Sequence, residues 1–302
     1  MRPGLPRRLV NGFALPSLLM ALAACVPAAP TAPPVSTSAP RPTASTAPQA
    51  SVTPDLAAMV MSLAEPKVLG TFPSPDGARM AEVIVYDCVP TDVGEALAYD
   101  ILEITETTGG AKSVPATQLQ YCGGLGAHGL QGLFWSSNSR YFYFTDARTG
   151  VPDGGCGIWP GSMARVDTQD GSVQALGGAV VSPDGTSIAS WRDDDLVLWS
   201  VEEADEVHVP ATVPGAAHGP IAWAPDGKAL AYVLTTESCP PWGMSRIVLH
   251  RLGEEASLVL LESEAPSFVQ VEWAGAGQLR LVDAADGEWT YEISQDHLTG
   301  PG

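Results

Sequence analysis

The chain has 302 residues, with 34 acidic and 15 basic side chains and a formal net charge of -19. The acidic surplus lies wholly after residue 54, since no Asp or Glu precedes Asp55. Such a surface repels phosphate backbones and anionic headgroups, which argues against nucleic acid as a partner and against electrostatic docking on lipid.

Residues 1–24 read as a cleaved export signal. MRPGLPRRLV is a positive start, and FALPSLLMALAA is an apolar run. The run ends in Leu22-Ala23-Ala24-Cys25. Small residues followed by cysteine resemble the lipobox of bacterial lipoproteins, in which a peptidase cuts before the cysteine and its thiol takes diacylglycerol. Cys25 is therefore the expected lipidation site, with palmitate-type acyl chains. The alternative is an ordinary signal peptide that happens to contain a cysteine. No later apolar run approaches the roughly 20 residues needed to span a bilayer. The expected location is lipid-anchored at the cell membrane or outer membrane, with the domain on the extracytoplasmic side.

Residues 25–54 follow as the lipidated cysteine and a tether. Val26 to Thr53 is Ala, Pro, Ser and Thr with a single charge, Arg41. This composition cannot bury a core, and its prolines favour an extended chain reaching about 90 Å.

Residues 55–302 form the domain, and one phrase recurs in it. FPSPDGARMAEV, VVSPDGTSIASW and AWAPDGKALAYV place a Pro-Asp-Gly bend between apolar β-formers, starting at Ser74, Ser182 and Ala224. Proline presets φ, Asp bonds back to the chain, and Gly accepts the positive φ that closes a hairpin. LFWSSNSRYFYF and VEWAGAGQLRLV are weaker copies starting at Ser136 and Ala274. A unit of about 40 to 50 residues holding several short strands is the mark of a propeller blade. Each unit reads as inner strand, bend, second strand, third strand, turn and fourth strand. The predicted fold is all-β, a β-propeller of about five four-stranded blades. WTYEIS (Trp289–Ser294) is the third strand of the last unit, and only a short tail follows it. Met59 to Leu63 is available as the missing outer strand, closing the ring from the N-terminus. A helix is the alternative for that segment.

The strand, Ser-Pro-Asp-Gly, then Ile/Leu-Ala pattern of Val180–Trp191 and Ala222–Val233 resembles the WD40-like repeat (PD40) of TolB-type β-propellers. The resemblance covers most of Leu69 to Ser294 and implies fold more than function. TolB itself has a separate N-terminal α/β domain and six blades, whereas this chain has a linker and five. Arg280 falls where Met80, Ile188 and Leu230 sit, which disturbs the register of the fifth unit. Related repeats occur beside hydrolase domains in prolyl-peptidase-like enzymes, for which this chain has no room. Trp135, Trp223 and Trp273 stand just before their bends, and packing between neighbouring blades explains a recurring position better than sugar stacking does.

No motif for a serine hydrolase, a phosphate-binding loop, a zinc protease or a Cys-x-x-Cys pair is present. The inner strands carry one charge, Glu272, which argues against the facing carboxylates of a glycosidase. Asp193-Asp194-Asp195 reads as a solvated acidic turn rather than a calcium loop. No cofactor and no resident metal are implied.

The loops after second strands are more informative. CGIWPGSMARV (Cys156–Val166) and CPPWGMSRIVL (Cys239–Leu249) share Cys-x-x-Trp, then Gly, Met and Arg. Cys88 lies in the corresponding loop of the first unit, and Cys122 between the first and second. In a propeller these loops open on one face. An even count of cysteines outside the cytoplasm points first to disulfides, with a metal site as the alternative. The preferred pairing is Cys88–Cys122 and Cys156–Cys239. The candidate binding face is then His128, Trp159, His218 and Trp242, which share that face; ordinary loop histidines and tryptophans covering disulfides are the competing explanation. The function this supports is a non-catalytic binding module for an envelope protein or glycan. The alternative is a carbohydrate-active hydrolase or lyase using polar groups at the channel mouth.

Overall fold

The structure, a computed structural model of the chain, describes residues 54–91, 96–122, 129–146, 162–193, 195–210, 212–213, 216–237 and 239–300. Their strands fall in chain order into five sheets of four. The first holds β1 (Pro66–Pro73), β2 (Arg79–Pro90), β3 (Ala96–Glu106) and β4 (Lys112–Cys122). The second holds β5 (Leu130–Trp135), β6 (Tyr141–Asp146), β7 (Ser162–Asp167) and β8 (Val173–Gly177). The third holds β9 (Val180–Val181), β10 (Ser187–Arg192), β11 (Asp195–Ser200) and β12 (Glu206–Val209). The fourth holds β13 (Ala217–Trp223), β14 (Ala229–Thr235), β15 (Ser245–Arg251) and β16 (Leu258–Ser263). The fifth holds β17 (Phe268–Gly275), β18 (Gln278–Asp283), β19 (Glu288–Glu292) and β20 (His297–Thr299). All neighbouring strands are antiparallel. Five meandering four-stranded sheets in succession are the blades of a β-propeller.

The recurring bend is built by its own side chains. In the first blade Ser74 Oγ donates to Asp76 Oδ1 at 2.6 Å, and the Ala78 amide donates to the same oxygen at 2.9 Å. Ser74 Oγ in turn accepts from the Arg79 amide at 2.9 Å. The third blade repeats this with Ser182, Asp184, Thr186 and Ser187. In the second blade Asn138 replaces the aspartate, accepting from Ser136 Oγ at 2.8 Å and from the Arg140 amide at 2.9 Å. The glycine is left-handed, with φ of 69°, 72° and 69° at Gly77, Gly185 and Gly227, and a side chain there would be strained.

Four blade interfaces are apolar. Val83 and Leu102 of the first blade meet Phe142 and Val166 of the second. Tyr143 meets Val197 and Trp199 between the second and third. Leu196 meets Trp223 and Leu230 between the third and fourth. Val233 and Ile247 meet Leu279 and Leu281 between the fourth and fifth. The tryptophan before the bend reaches back across three of these seams. Its Nε1 donates from Trp135 to Phe72 O at 2.9 Å, from Trp223 to Val180 O at 2.9 Å and from Trp273 to Ala222 O at 3.0 Å. Each bond fixes the angle between blades and contributes about 1 kcal/mol beyond the buried ring.

The fifth and first blades differ. The face of the fifth turned away from the fourth carries Arg280, paired with Glu272 and with Glu288. The face of the first turned away from the second carries Glu103, which accepts from Lys112 Nζ at 2.7 Å, and Glu82 beside Thr71. Among the described residues no apolar cluster joins these two blades.

The expected closing strand is corrected here. Met59 to Leu63 belongs to a helix, α1 (Pro54–Leu63), and does not pair with the last blade. Alanine, methionine and leucine favour a helix, and Leu56, Ala57, Val60 and Ala64 recur at helical spacing. That stripe packs on Tyr86, Val89, Leu97 and Tyr99, covering the apolar part of the first blade's free face. The short tail supplies the fourth strand itself: β20 needs three residues, and the Tyr291 hydroxyl beside it donates to Asp296 Oδ1 at 2.6 Å.

The bends make an acid-sensitive element. The Ser74 hydroxyl and then the Ala78 amide hold Asp76 below the usual carboxylate range; the Ser182 hydroxyl and the Thr186 amide do the same for Asp184. A carboxylate with a depressed folded pKa stabilises fully above the unfolded value of about 3.9, and that contribution is lost as pH falls through the lower folded value. Urea midpoints should therefore decline as pH is taken from about 5 to about 2. Asp76→Asn with Asp184→Asn should keep the bends, as Asn138 does, and flatten that decline. An unchanged pH profile in the double variant would show that these bends carry no such linkage.

Candidate functional site

Bends and third-to-fourth turns lie at one end of the blades. The second-to-third loops and the blade-to-blade connections lie at the other, the loop face. Cys88 near the end of β2 and Cys122 at the end of β4 are joined there in a disulfide with Cα atoms 6.0 Å apart. Cys239 is also disulfide-bonded, to a partner outside the described residues. Cys25, Cys156, His128 and Trp159 themselves lie outside the described residues.

Trp242 is half-buried in the loop between β14 and β15. That loop is held at both ends. The Thr236 amide donates to Met244 O at 3.0 Å, the Met244 amide to Thr236 Oγ1 at 3.1 Å, and the Glu237 amide to Trp242 O at 3.3 Å. Gly243 turns the chain at φ 66°, and a Cβ there would stand 2.1 Å from Thr236 Oγ1. Close packing and a left-handed φ both demand glycine next to the tryptophan.

His218 begins β13 and stacks on Trp191 near the end of β10, with ring centroids 4.3 Å apart and planes 10° from parallel. Trp191 meets Tyr232 edge-on at 5.0 Å and donates from Nε1 to Gly219 O at 3.1 Å. Tyr232 is buried, and burial pushes its hydroxyl pKa up. The trio bridges the third and fourth blades. Both His218 and Trp191 are half-buried, with His218 Nε2 shielded from solvent and Trp191 packed against the core between the blades. Tyr121, next to Cys122, is 59% exposed on the same face.

Asp100 anchors the first connection. It is fully buried in β3 and accepts from Gln120 Nε2 at 2.8 Å, from the Gly129 amide at 2.9 Å and from the Leu130 amide at 3.2 Å. Ser245 does the same for the last blade, accepting from the Phe268 amide at 2.8 Å. A third-strand side chain thus fixes where the next inner strand begins.

Sequence reasoning had singled out His218 and Trp242 but not Trp191, Tyr121 or Asp100. An acid inside the apolar run ALAYDILEI was the available signal for Asp100. In the acidic hairpin Asp195 Oδ2 lies 3.3 Å from His208 Nδ1, and Asp194 is outside the described residues. Among the described residues no three His, Cys, Asp or Glu side chains converge as a metal site.

The arrangement offers half-buried aromatic rings held in fixed positions by the third and fourth blades and by the Trp242 loop. Such a surface binds by stacking and apolar contact at low ordering cost.

No protein-family model matches the sequence, and no curated protein matches it. Solved structures are similar at the level of the sheets. The dipeptidyl peptidase 4 of Porphyromonas gingivalis shares 11% identity over 82% of this chain and 41% of its own, with a TM-score of 0.43. TolB from Acinetobacter baumannii shares 14% over 78% of this chain and 54% of its own, at 0.32. An oligogalacturonate lyase in complex with manganese shares 14% over 76% of this chain and 63% of its own, at 0.39. This chain therefore spans less than two thirds of the length of each. No activity follows from similarity this low.

Asp100→Ala strands two backbone amides and a glutamine in a buried site. The expected loss is about 3 kcal/mol of folding stability in urea denaturation of the full chain, with a smaller loss for Asp100→Asn. A change under about 0.5 kcal/mol in both variants would mean that the carboxylate does not hold the connection.

Proposed function

We infer that this protein is a non-catalytic binding module, tethered by lipid outside the cytoplasm, whose loop face recognises a protein or glycan of the cell envelope. The observation that carries the reading is the stacked Trp191–His218 pair, set between two blades on a face whose loops are tied by disulfides. Buried aromatic anchors on a rigid frame are the usual hot spots of recognition surfaces. The disulfides support an oxidising compartment, in keeping with the export signal and lipobox-like Cys25 of the sequence. The acidic domain surface keeps the module off anionic headgroups, so the acyl chains rather than the protein surface hold it at the membrane.

Capture of envelope material by the full chain tests the reading. Trp191→Ala and Trp242→Ala should each weaken the captured partner by about 30-fold, as for a hot spot of about 2 kcal/mol, with an unchanged far-ultraviolet dichroism spectrum. If neither variant altered any capture, the site would not be on this face. If the wild type degraded envelope glycans and His218→Asn abolished turnover, the module would be an enzyme. Anchoring is read separately. Cys25→Ser should move the protein from the membrane fraction to the soluble fraction, and persistent membrane association would remove the lipid from the account.

A further inference from the structure

A groove opens at the opposite end of the molecule, between the third and fourth blades. The turns on its two sides differ at one equivalent place. In the third blade the Val201 amide donates to Thr186 O, and in the fourth the Leu252 amide donates to Lys228 O, so Glu202 and Gly253 hold equivalent places. Glu202 bridges back to the second blade, accepting from the Ser137 amide at 2.7 Å and the Asn138 amide at 3.0 Å. Gly253 has no side chain with which to reach the third blade. The two blades part there around a cavity of about 800 Å³.

The walls have a definite chemistry. Leu198 and Val209 form a buried apolar floor, and Val207 and Leu252 line it while 60% and 39% exposed. Glu203, Asp205, Glu254 and Glu255 stand on the rim. Glu254 meets Arg251 at 3.6 Å. The carboxylates of Glu203, Asp205 and Glu255 pair with no lysine or arginine among the described residues, and the nearby Arg165 guanidinium is taken by the backbone oxygens of Ser200 and Glu203. No lysine or arginine lines the groove. Its histidines offset the rim little, because His208, whose pKa the Glu206 hydrogen bond raises, is paired with carboxylates of its own. Burial pushes the His250 imidazole pKa down, and His208 already lies 3.1 Å from Glu206 and 3.3 Å from Asp195.

We propose that this groove binds an extended basic peptide segment, with lysine or arginine side chains on the Glu203, Asp205 and Glu255 rim and apolar side chains on Val207 and Leu252. Charge complementarity selects a cation, and the exposed apolar strip selects one with an apolar body. An open trough along β12, the outermost strand of its sheet, suits an extended chain whose side chains alternate between the two kinds of wall. The site is separate from the loop face and does not depend on what that face binds.

The test uses the full chain and a capped hexapeptide of alternating valine and lysine, followed by calorimetry at near-physiological salt. The wild type should bind it and should not bind the same peptide with glutamate for lysine. Glu203→Gln, Asp205→Asn and Glu255→Gln together should weaken binding by about tenfold or more. Glu65→Gln, Glu237→Gln and Glu264→Gln, a control with the same charge change at exposed sites elsewhere, should leave it within about twofold. Val207→Ser should weaken it several-fold without changing its salt dependence. Equal losses in the two triple variants would reduce the attraction to net charge and overturn the proposal. So would absence of binding by the wild type, or displacement of the peptide by spermidine at equal concentration, which would make the groove a small-cation site.

Discussion

The side-chain acceptor at the third position of the first four bends, Asp76, Asn138, Asp184 and Asp226, is the constraint on which the rest of the molecule depends. In the first and third blades one carboxylate oxygen takes a serine hydroxyl and a backbone amide, and the serine oxygen takes the amide that starts the second strand. Strand register is thereby set before any blade meets another. With register set, alternate residues of the second strand face opposite neighbours. Val83 goes to the second blade while Ile84 goes to the free face, and Leu230 goes to the third blade while Ala231 goes to the fifth. A slip of one residue would exchange the two faces and leave both seams mismatched. The tryptophan bonds then need only set the angle between sheets that are already correctly registered.

The seam between the fifth and first blades shows what happens where that logic stops. The tryptophan that reaches back from the fourth and fifth blades has Pro73 as its counterpart in the first, so no ring reaches from there toward the last blade. The facing surfaces satisfy their charges internally, Arg280 with two glutamates and Lys112 with Glu103. Exposed ion pairs of this kind stabilise little, but they prevent an apolar face from lying open to solvent. Where the first blade's free face is apolar, α1 covers it. The helix therefore belongs to the same solution as the ion pairs: between them they finish a face that, among the described residues, joins no apolar cluster of another blade.

The architecture was legible because its instruction is local and repeated. A bend of four or five residues announces a hairpin, and its recurrence announces blades. The fifth unit was misaligned for a local reason as well. Its hairpin is one residue shorter, so Trp273 pairs with Leu279 where Trp223 pairs with Leu230, and Arg280 turns to the free face instead of the core. Composition alone did not separate strand from helix at Met59 to Leu63, because what decides it is the free apolar patch on a sheet elsewhere in the chain. The loop face was legible through its cysteines, which mark loops that need tying. The Trp191–His218 stack was not, since the two rings come from different blades and neither sits in a motif. The acidic groove was least visible of all. Its glutamates occupy ordinary turns, and only the juxtaposition of two turns makes them a wall.

The two ends of the molecule are held by different chemistry, and this decides where each kind of site can arise. At the bend end, short hydrogen-bonded turns also tie neighbouring blades. The Asp76 amide reaches Ser139 Oγ, Glu202 takes two amides of the second bend, and buried Arg165 donates to Ser200 O and Glu203 O across the second seam. The cleft between the third and fourth blades lies where Gly253 stands in place of a tying glutamate. At the loop end, among the described residues, the Cys88–Cys122 disulfide, the Asp100 and Ser245 anchors and the Thr236 clasp each hold a different connection. Each of those fasteners is independent of its neighbours. The loops between them can therefore change without disturbing the register set at the far end, which is the physical freedom a recognition surface requires.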